Sequence, residues 1–195
     1  MRQRRNSVEV VLSRALSVLG LSLWVFLFAL TQVSGEGENT MDITSAAFKD
    51  GEKIPMRYVM PGVGGKNISI PLAWKNAPSG TKSFALSMVD PHPVARNWVH
   101  WLVINIPPNA ASIDEGASGK KMPQGSIELK NSFGETGYGG PQPPKGSGEH
   151  PYVFTLYALN VDKLDLPPST SLDAFKKALE GKVLGSVTIT GKFGI

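Results

Sequence analysis

Residues Trp98–Ile106 read WVHWLVINI, nine positions without a charge and rich in Val, Ile and Trp, closed by Pro107-Pro108. A short apolar run of this kind, ended by turn residues, describes a β-strand covered on both faces. Two more runs share the pattern: SFALSMV (Ser83–Val89) and YVFTLYAL (Tyr152–Leu159). Around these three lie segments that alternate instead. They are KIPMRYV (Lys53–Val59, through Ile54, Met56 and Tyr58), NISIPLAW (Asn67–Trp74, through Ile68, Ile70 and Leu72) and VLGSVTITGKF (Val183–Phe193). Alternation predicts strands with one buried face. Pro61-Gly62, Gly64-Gly65, Pro78-Ser79-Gly80 and Gly139-Gly140-Pro141 punctuate the joints. One helix is expected: Thr170 or Ser171 caps it, Leu172, Phe175 and Leu179 recur at helical spacing, and Gly181 ends it. Its role is to cover a sheet edge or face. The fold class is mainly β.

Composition agrees. The 21 glycines and 15 prolines of the 195 residues come to near 18%, against about 12% in average usage. An apolar content of 41% with 18% charged residues excludes charge-driven disorder. There is no cysteine, hence no disulfide, thiolate metal site or cysteine nucleophile.

The first 35 residues differ from the rest. Arg2, Arg4, Arg5 and Arg14 precede or open the uncharged stretch Ala15–Leu30, ALSVLGLSLWVFLFAL, and small polar residues follow. This is the layout of a secretory signal, cut after Gly35 behind the small pair Val33/Gly35. An uncleaved membrane anchor is the alternative, since sixteen residues fall just short of the usual span. Both place the domain of residues 40–195 outside the cytoplasm: periplasmic, secreted or membrane-anchored, with membrane contact only through residues 15–30 if uncleaved. Four of the 20 Lys and Arg but only one acid, Glu9, lie in this segment, so a formal charge of +4 for the chain becomes +1 for the remainder. The domain shows no basic stripe with interleaved aromatics; Lys120-Lys121 and Lys176-Lys177 are isolated pairs. Nucleic acid is excluded as a partner.

The three histidines fall in two clusters, Asp90-Pro91-His92-Pro93 with His100-Trp101, and Gly139-Gly140-Pro141-Gln142-Pro143-Pro144 with Gly148-Glu149-His150-Pro151-Tyr152. Asp90 ends one expected core strand, His100 sits within the next, and His150 and Tyr152 open a third. A carboxylate, imidazoles and a phenol at neighbouring strand ends make a polar pocket in which His and Tyr donate hydrogen bonds and Asp orients a histidine.

These motifs, DPHP, HW, GGPQPP and G-x-H-x-Y in that order, resemble the phosphatidylethanolamine-binding protein (PEBP) family, also called Raf kinase inhibitor-like proteins. The similarity is to its prokaryotic branch, through VHWLVINIP, YGGPQPP and YVFTLYAL, and it covers about Asp42 to Ile195. The resemblance implies a large antiparallel sheet packed with a smaller sheet and a few short peripheral helices. It implies a surface pocket for phosphate, acetate or phosphoryl head groups, formed by Asp90, His100, Gly140, Pro141, His150 and Tyr152, with Pro91, His92 and Trp101 at its edge. Two departures stand out. His92 replaces the second aspartate of the family's first motif, and Pro151 replaces the arginine between the last His and Tyr. His92 adds a potential cation at the mouth, so anions are expected to bind better below about pH 6.5, the ordinary histidine value.

The leading expectation is a binding protein, not an enzyme, needing no cofactor, for a small anionic or phosphoryl ligand, with a lipid head group or a protein partner as further possibilities. Two alternatives use the same residues. A hydrolase would join an Asp/His pair to Ser132, Ser147 or Tyr152, although no G-x-S-x-G elbow is present. A metal site would draw on Asp90, His92, His100 and His150.

Overall fold

A computed structural model describes residues 40–195 of the chain. The export segment expected over residues 1–35 lies outside the described residues. Among the described residues no helix is long and apolar enough to cross a membrane.

Eight strands and one α-helix make up the regular structure: β1 (Asp42–Thr44), β2 (Leu72–Lys75), β3 (Ser83–Asp90), β4 (Trp98–Ile106), β5 (Ser112–Ile113), β6 (Ile127–Glu128), β7 (Glu149–Leu159), α1 (Leu172–Leu179) and β8 (Val183–Gly194). They form a five-stranded sheet in the order β6-β4-β3-β7-β8 and a three-stranded sheet in the order β1-β2-β5. All pairings between these strands are antiparallel. The expected mainly β architecture, a larger and a smaller sheet with little helix, is what the chain adopts.

Alternation decides what lies between the layers. Phe84, Leu86 and Met88 of β3, Trp101 and Val103 of β4, and Phe154, Leu156 and Ala158 of β7 face the small sheet, where Ile43, Leu72, Trp74 and Ile113 meet them. The other face of the large sheet, with Ala85, Leu102 and Ile104, packs under Phe175 and Leu179 of α1 and under Leu164. The helix begins at Ser171, whose side chain accepts a hydrogen bond from the Ala174 N–H, and Gly181 follows it with φ of 71°. This double cover explains why β3 and β4 read as continuous apolar runs. Full burial of one Leu, Met or Phe side chain in such a core contributes about 1.5–3 kcal/mol.

Three expected strands differ. KIPMRYV is not a strand. Lys53 makes a single bridge to Lys192, the Ile54 N–H donates to the Lys192 carbonyl at 2.8 Å, and the chain then turns through a 3-10 helix, Met56–Tyr58. Pro55 has no N–H with which to continue a ladder. Ile54, Tyr58 and Val59 are buried while Met56 is exposed, which is not strand spacing. In NISIPLAW only Leu72–Trp74 is strand. Pro71 interrupts donation, and Asn67 is left-handed with φ of 50°. YVFTLYAL is covered fully on one face only. Its other face is half-buried, because α1 reaches Tyr157 and Leu159 but not the whole strand.

Candidate functional site

β3 ends where β4 and β7 begin, because both neighbours run antiparallel to it. That geometry gathers Asp90, His100, His150 and Tyr152 at one end of the large sheet. In β7, alternation puts His150 and Tyr152 on the inward face, in line with Phe154. In β4, simple alternation would send His100 to the opposite face, beside Leu102. A β-bulge prevents this: Met88 pairs with Trp101 and Val89 with Val99, leaving His100 as the extra residue. The bulge turns His100 toward Tyr152, whose ring lies edge-on at 5.0 Å. Bulges re-aim side chains in this way beside functional sites.

The result is a cleft of about 240 Å³. Asp90, His100, His150 and Tyr152 supply its polar lining, and Trp98, Phe133, Pro143 and Pro144 its walls, with Val94, Ala95 and Gln142 at the rim. Phe133 packs against both Trp98 and His100 at 5.4 and 5.6 Å between ring centres.

Each polar group is held in place, and two have a defined state. The His100 Nδ1 atom lies 2.7 Å from the Gly139 carbonyl, which only accepts, so Nδ1 carries the proton and Nε2 is left as an acceptor. Burial pushes the His100 pKa down to about 4, against the opposing pull of the Gly139 carbonyl and the Asp90 charge. His100 is therefore neutral at pH 7. Burial, with Asp90 adding to it, pushes the Tyr152 phenol well above its ordinary value against the opposing Gln142 backbone N–H, so Tyr152 stays a donor. Its buried hydroxyl has no acceptor for its proton among the described residues. The His150 Nδ1–H donates to Asp90 Oδ2 at 2.6 Å, and Ser147 Oγ lies 2.9 Å from His150 Nε2. The His92 backbone N–H donates to Asp90 Oδ1 at 2.9 Å, and the His92 ring stacks on His150 at 3.8 Å.

The remaining expected residues fall around this centre rather than in it. Pro91 is exposed in the turn after β3. Gly140 and Pro141 act through their backbone. The Gly140 N–H donates to Asn67 Oδ1 at 2.7 Å, and the Pro141 carbonyl accepts from the Met60 N–H at 3.0 Å. They fasten the loop whose next residues, Gln142–Pro144, form the wall. Trp101, expected at the pocket edge, lies instead in the interior between the sheets. It is fully buried, donates from Nε1 to Glu128 at 2.7 Å and packs edge-on against Tyr138. The bulge separates the two neighbours, sending His100 to the cleft and Trp101 to the core. Ser132 is occupied by β4, accepting from the Val99 N–H at 2.9 Å. Phe133 is not singled out by sequence, and Pro143 and Pro144 enter there only as part of GGPQPP; for Phe133 an aromatic between Ser132 and Gly134 in a turn-rich stretch is the available signal.

Among the described residues no three His, Asp or Glu side chains are grouped as metal ligands. Asp90 directs both oxygens at His92 and His150, and His100 directs Nδ1 at a carbonyl.

Comparison with known proteins follows the same lines. Residues 44–194 match the family model described as phosphatidylethanolamine-binding protein. A "UPF0098 protein" of Methanothermobacter thermautotrophicus is 40% identical over 154 residues, 78% of this chain and 98% of the relative. A "Putative lipoprotein LppC" of Mycobacterium tuberculosis is 37% identical over 153 residues, 78% of this chain and 72% of the relative. The crystal structure of Escherichia coli YbcL, described as a member of the mammalian PEBP family, superposes with a TM-score of 0.75 at 35% identity, covering 80% of this chain and 98% of that one.

Proposed function

The chain belongs to the phosphatidylethanolamine-binding protein family, and from that premise we propose that it is an exported binding protein whose cleft holds a small phosphoryl or carboxyl group. The observation that carries this reading is the Tyr152 hydroxyl, buried at the cleft with no acceptor for its proton. A buried hydroxyl left unsatisfied costs about 1–3 kcal/mol, and a ligand oxygen would recover it.

The chemistry of the neighbours narrows the ligand. Tyr152 offers a donor. His100, neutral with its proton on the Gly139 side, offers an acceptor at Nε2. A group with both an oxygen to accept and a hydroxyl to donate suits the pair: hydrogen phosphate, a phosphomonoester monoanion or a carboxylic acid. Phosphorylethanolamine is the head-group fragment that the family's name suggests. The apolar walls of Trp98, Phe133 and the prolines suit the methylene carbons next to such a group. His92 stacks on His150 at the edge. The hydroxyl that His100 accepts from is the ligand's own, so binding strengthens as pH falls through the second phosphate ionisation, near 6.

An extracytoplasmic position is supported by the basic and then apolar segment of residues 1–35 and by the lipoprotein naming of the mycobacterial relative. An exported domain does not meet cytosolic kinases, so the biological role proposed is inhibitory, scaffolding or head-group binding outside the cell. Nuclear magnetic resonance titration tests the ligand class. Inorganic phosphate or phosphorylethanolamine at millimolar concentration is expected to shift the resonances of His100, His150 and Tyr152. Unmoved resonances around these three would end the reading.

A further inference from the structure

Ser147 makes a contact that anion binding does not require. Its Oγ lies 2.9 Å from His150 Nε2, while His150 Nδ1 lies 2.6 Å from Asp90 Oδ2. His150 and Asp90 are buried. The His92 backbone N–H holds the second Asp90 oxygen at 2.9 Å, so the carboxylate is fixed from both sides. A carboxylate only accepts, so Nδ1 carries a proton, and an Nε2 that bears none turns its lone pair to the Ser147 hydroxyl. Hydroxyl, imidazole and carboxylate, linked in that order, form the arrangement that activates a weak nucleophile. We propose that Ser147 is a nucleophile activated by His150 and Asp90, forming an acyl-serine with small carboxylic esters and hydrolysing it.

The loop around Ser147 suits this. Gly146 and Gly148 have φ of 80° and 88°, so the serine sits at a tight turn just before β7. The Gly148 N–H, next after the nucleophile, donates to no backbone carbonyl among the described residues and is the backbone donor nearest in sequence to a developing oxyanion. Pro144 and His150, the two residues bonded to Ser147, both line the cleft. The cleft of about 240 Å³, whose lining includes these two residues but not Ser147, has apolar walls that suit a short acyl chain.

The steps balance. Ser147 Oγ bonds to the ester carbonyl carbon as its proton passes to His150 Nε2. The bond from that carbon to the leaving oxygen breaks, and the alcohol departs with the proton from Nε2. Water then attacks the acyl-serine, giving a proton to Nε2. The acid leaves, and the proton returns to Oγ. Ester and water become acid and alcohol.

A competing contact tunes the serine. Ser147 Oγ also lies 2.6 Å from the Pro144 carbonyl. One hydroxyl proton serves one acceptor, so the serine is activated when its O–H turns from Pro144 to His150 Nε2.

The test treats the full chain with a fluorophosphonate, whose phosphorus bonds to Oγ as fluoride leaves, and separately with p-nitrophenyl acetate. Mass spectrometry with peptide fragmentation is expected to find one phosphonyl adduct, on Ser147, absent from Ser147→Ala. Nitrophenolate release is expected to fall at least about tenfold in Ser147→Ala and in Asp90→Asn. No adduct, an adduct elsewhere, or equal ester rates in wild type and Ser147→Ala would overturn the proposal. Ser147→Ala removes one half-buried hydroxyl, so it decides the matter even if Asp90→Asn fails to fold. Phosphate titration of Ser147→Ala stands apart from this outcome: shifts at His100 report the binding reading alone.

Discussion

His100 shows how much one position decides. Three features set its state: the bulge that turns it inward, the Gly139 carbonyl that fixes its proton on Nδ1, and the burial that holds it neutral. The folded pKa, about 4, lies below the ordinary histidine value of about 6.5. Between these values the unfolded chain binds a proton that the folded chain refuses. Stability from this group is present above pH 6.5 and is lost as pH falls toward 4, by about 3 kcal/mol. Urea denaturation at pH 7 and pH 4 should show wild type losing about that much more than His100→Gln; equal losses would mean His100 is not held neutral. Which residue types gather at the site was legible in the sequence, because Asp90, His100, His150 and Tyr152 stand at the ends of three apolar runs. Their states were not. A bulge adds one residue to a ladder and leaves no mark in a run such as WVHWLVINI, so the parting of His100 from Trp101 became visible only in three dimensions.

Among the elements, the loop through Gly139–Pro144 matters most, because it carries one wall of the cleft. It is pinned to the turn-rich segment 55–67 by Gly140 and Asn67, by Pro141 and Met60, and by the Tyr138 hydroxyl, which donates to the Tyr58 carbonyl at 2.9 Å. A Cβ on Gly140 would lie 2.2 Å from the Tyr58 carbonyl oxygen, a clash with backbone that no side-chain rotation relieves. Gly140→Ala should destabilise the fold by about 1–3 kcal/mol and weaken phosphate binding as Gln142–Pro144 shift. Thermal unfolding and a phosphate titration check both, and an unchanged midpoint would show that the loop is not pinned there. The same segment explains the strand that sequence misplaced. Ile54, Met56 and Tyr58 alternate, but Pro55 withholds a donor, and the segment serves better as a turned support for the 139–144 loop than as a ladder. Hydrophobic period alone does not register which N–H groups are available. The helix was legible for the opposite reason: its cap at Ser171, its apolar spacing and its terminal Gly181 are local signals, and nothing nonlocal competes with them.

At the scale of the whole molecule, two sheets and a helix leave the end of the large sheet as the place where strand termini of three chain segments converge. The central claim is that the cleft there binds a small phosphoryl or carboxyl group through a buried tyrosine donor. A hydrogen bond to a charged ligand is worth about 1.5–3 kcal/mol, roughly 10–100-fold in Kd. Tyr152→Phe removes the hydroxyl and keeps the ring that packs on His100. The most direct measurement is the Kd for phosphorylethanolamine of wild type and Tyr152→Phe, side by side by calorimetry at pH 6. The account predicts saturable binding by wild type and a Kd at least about tenfold weaker in the variant. Equal affinities, or no binding by the wild type, would contradict it.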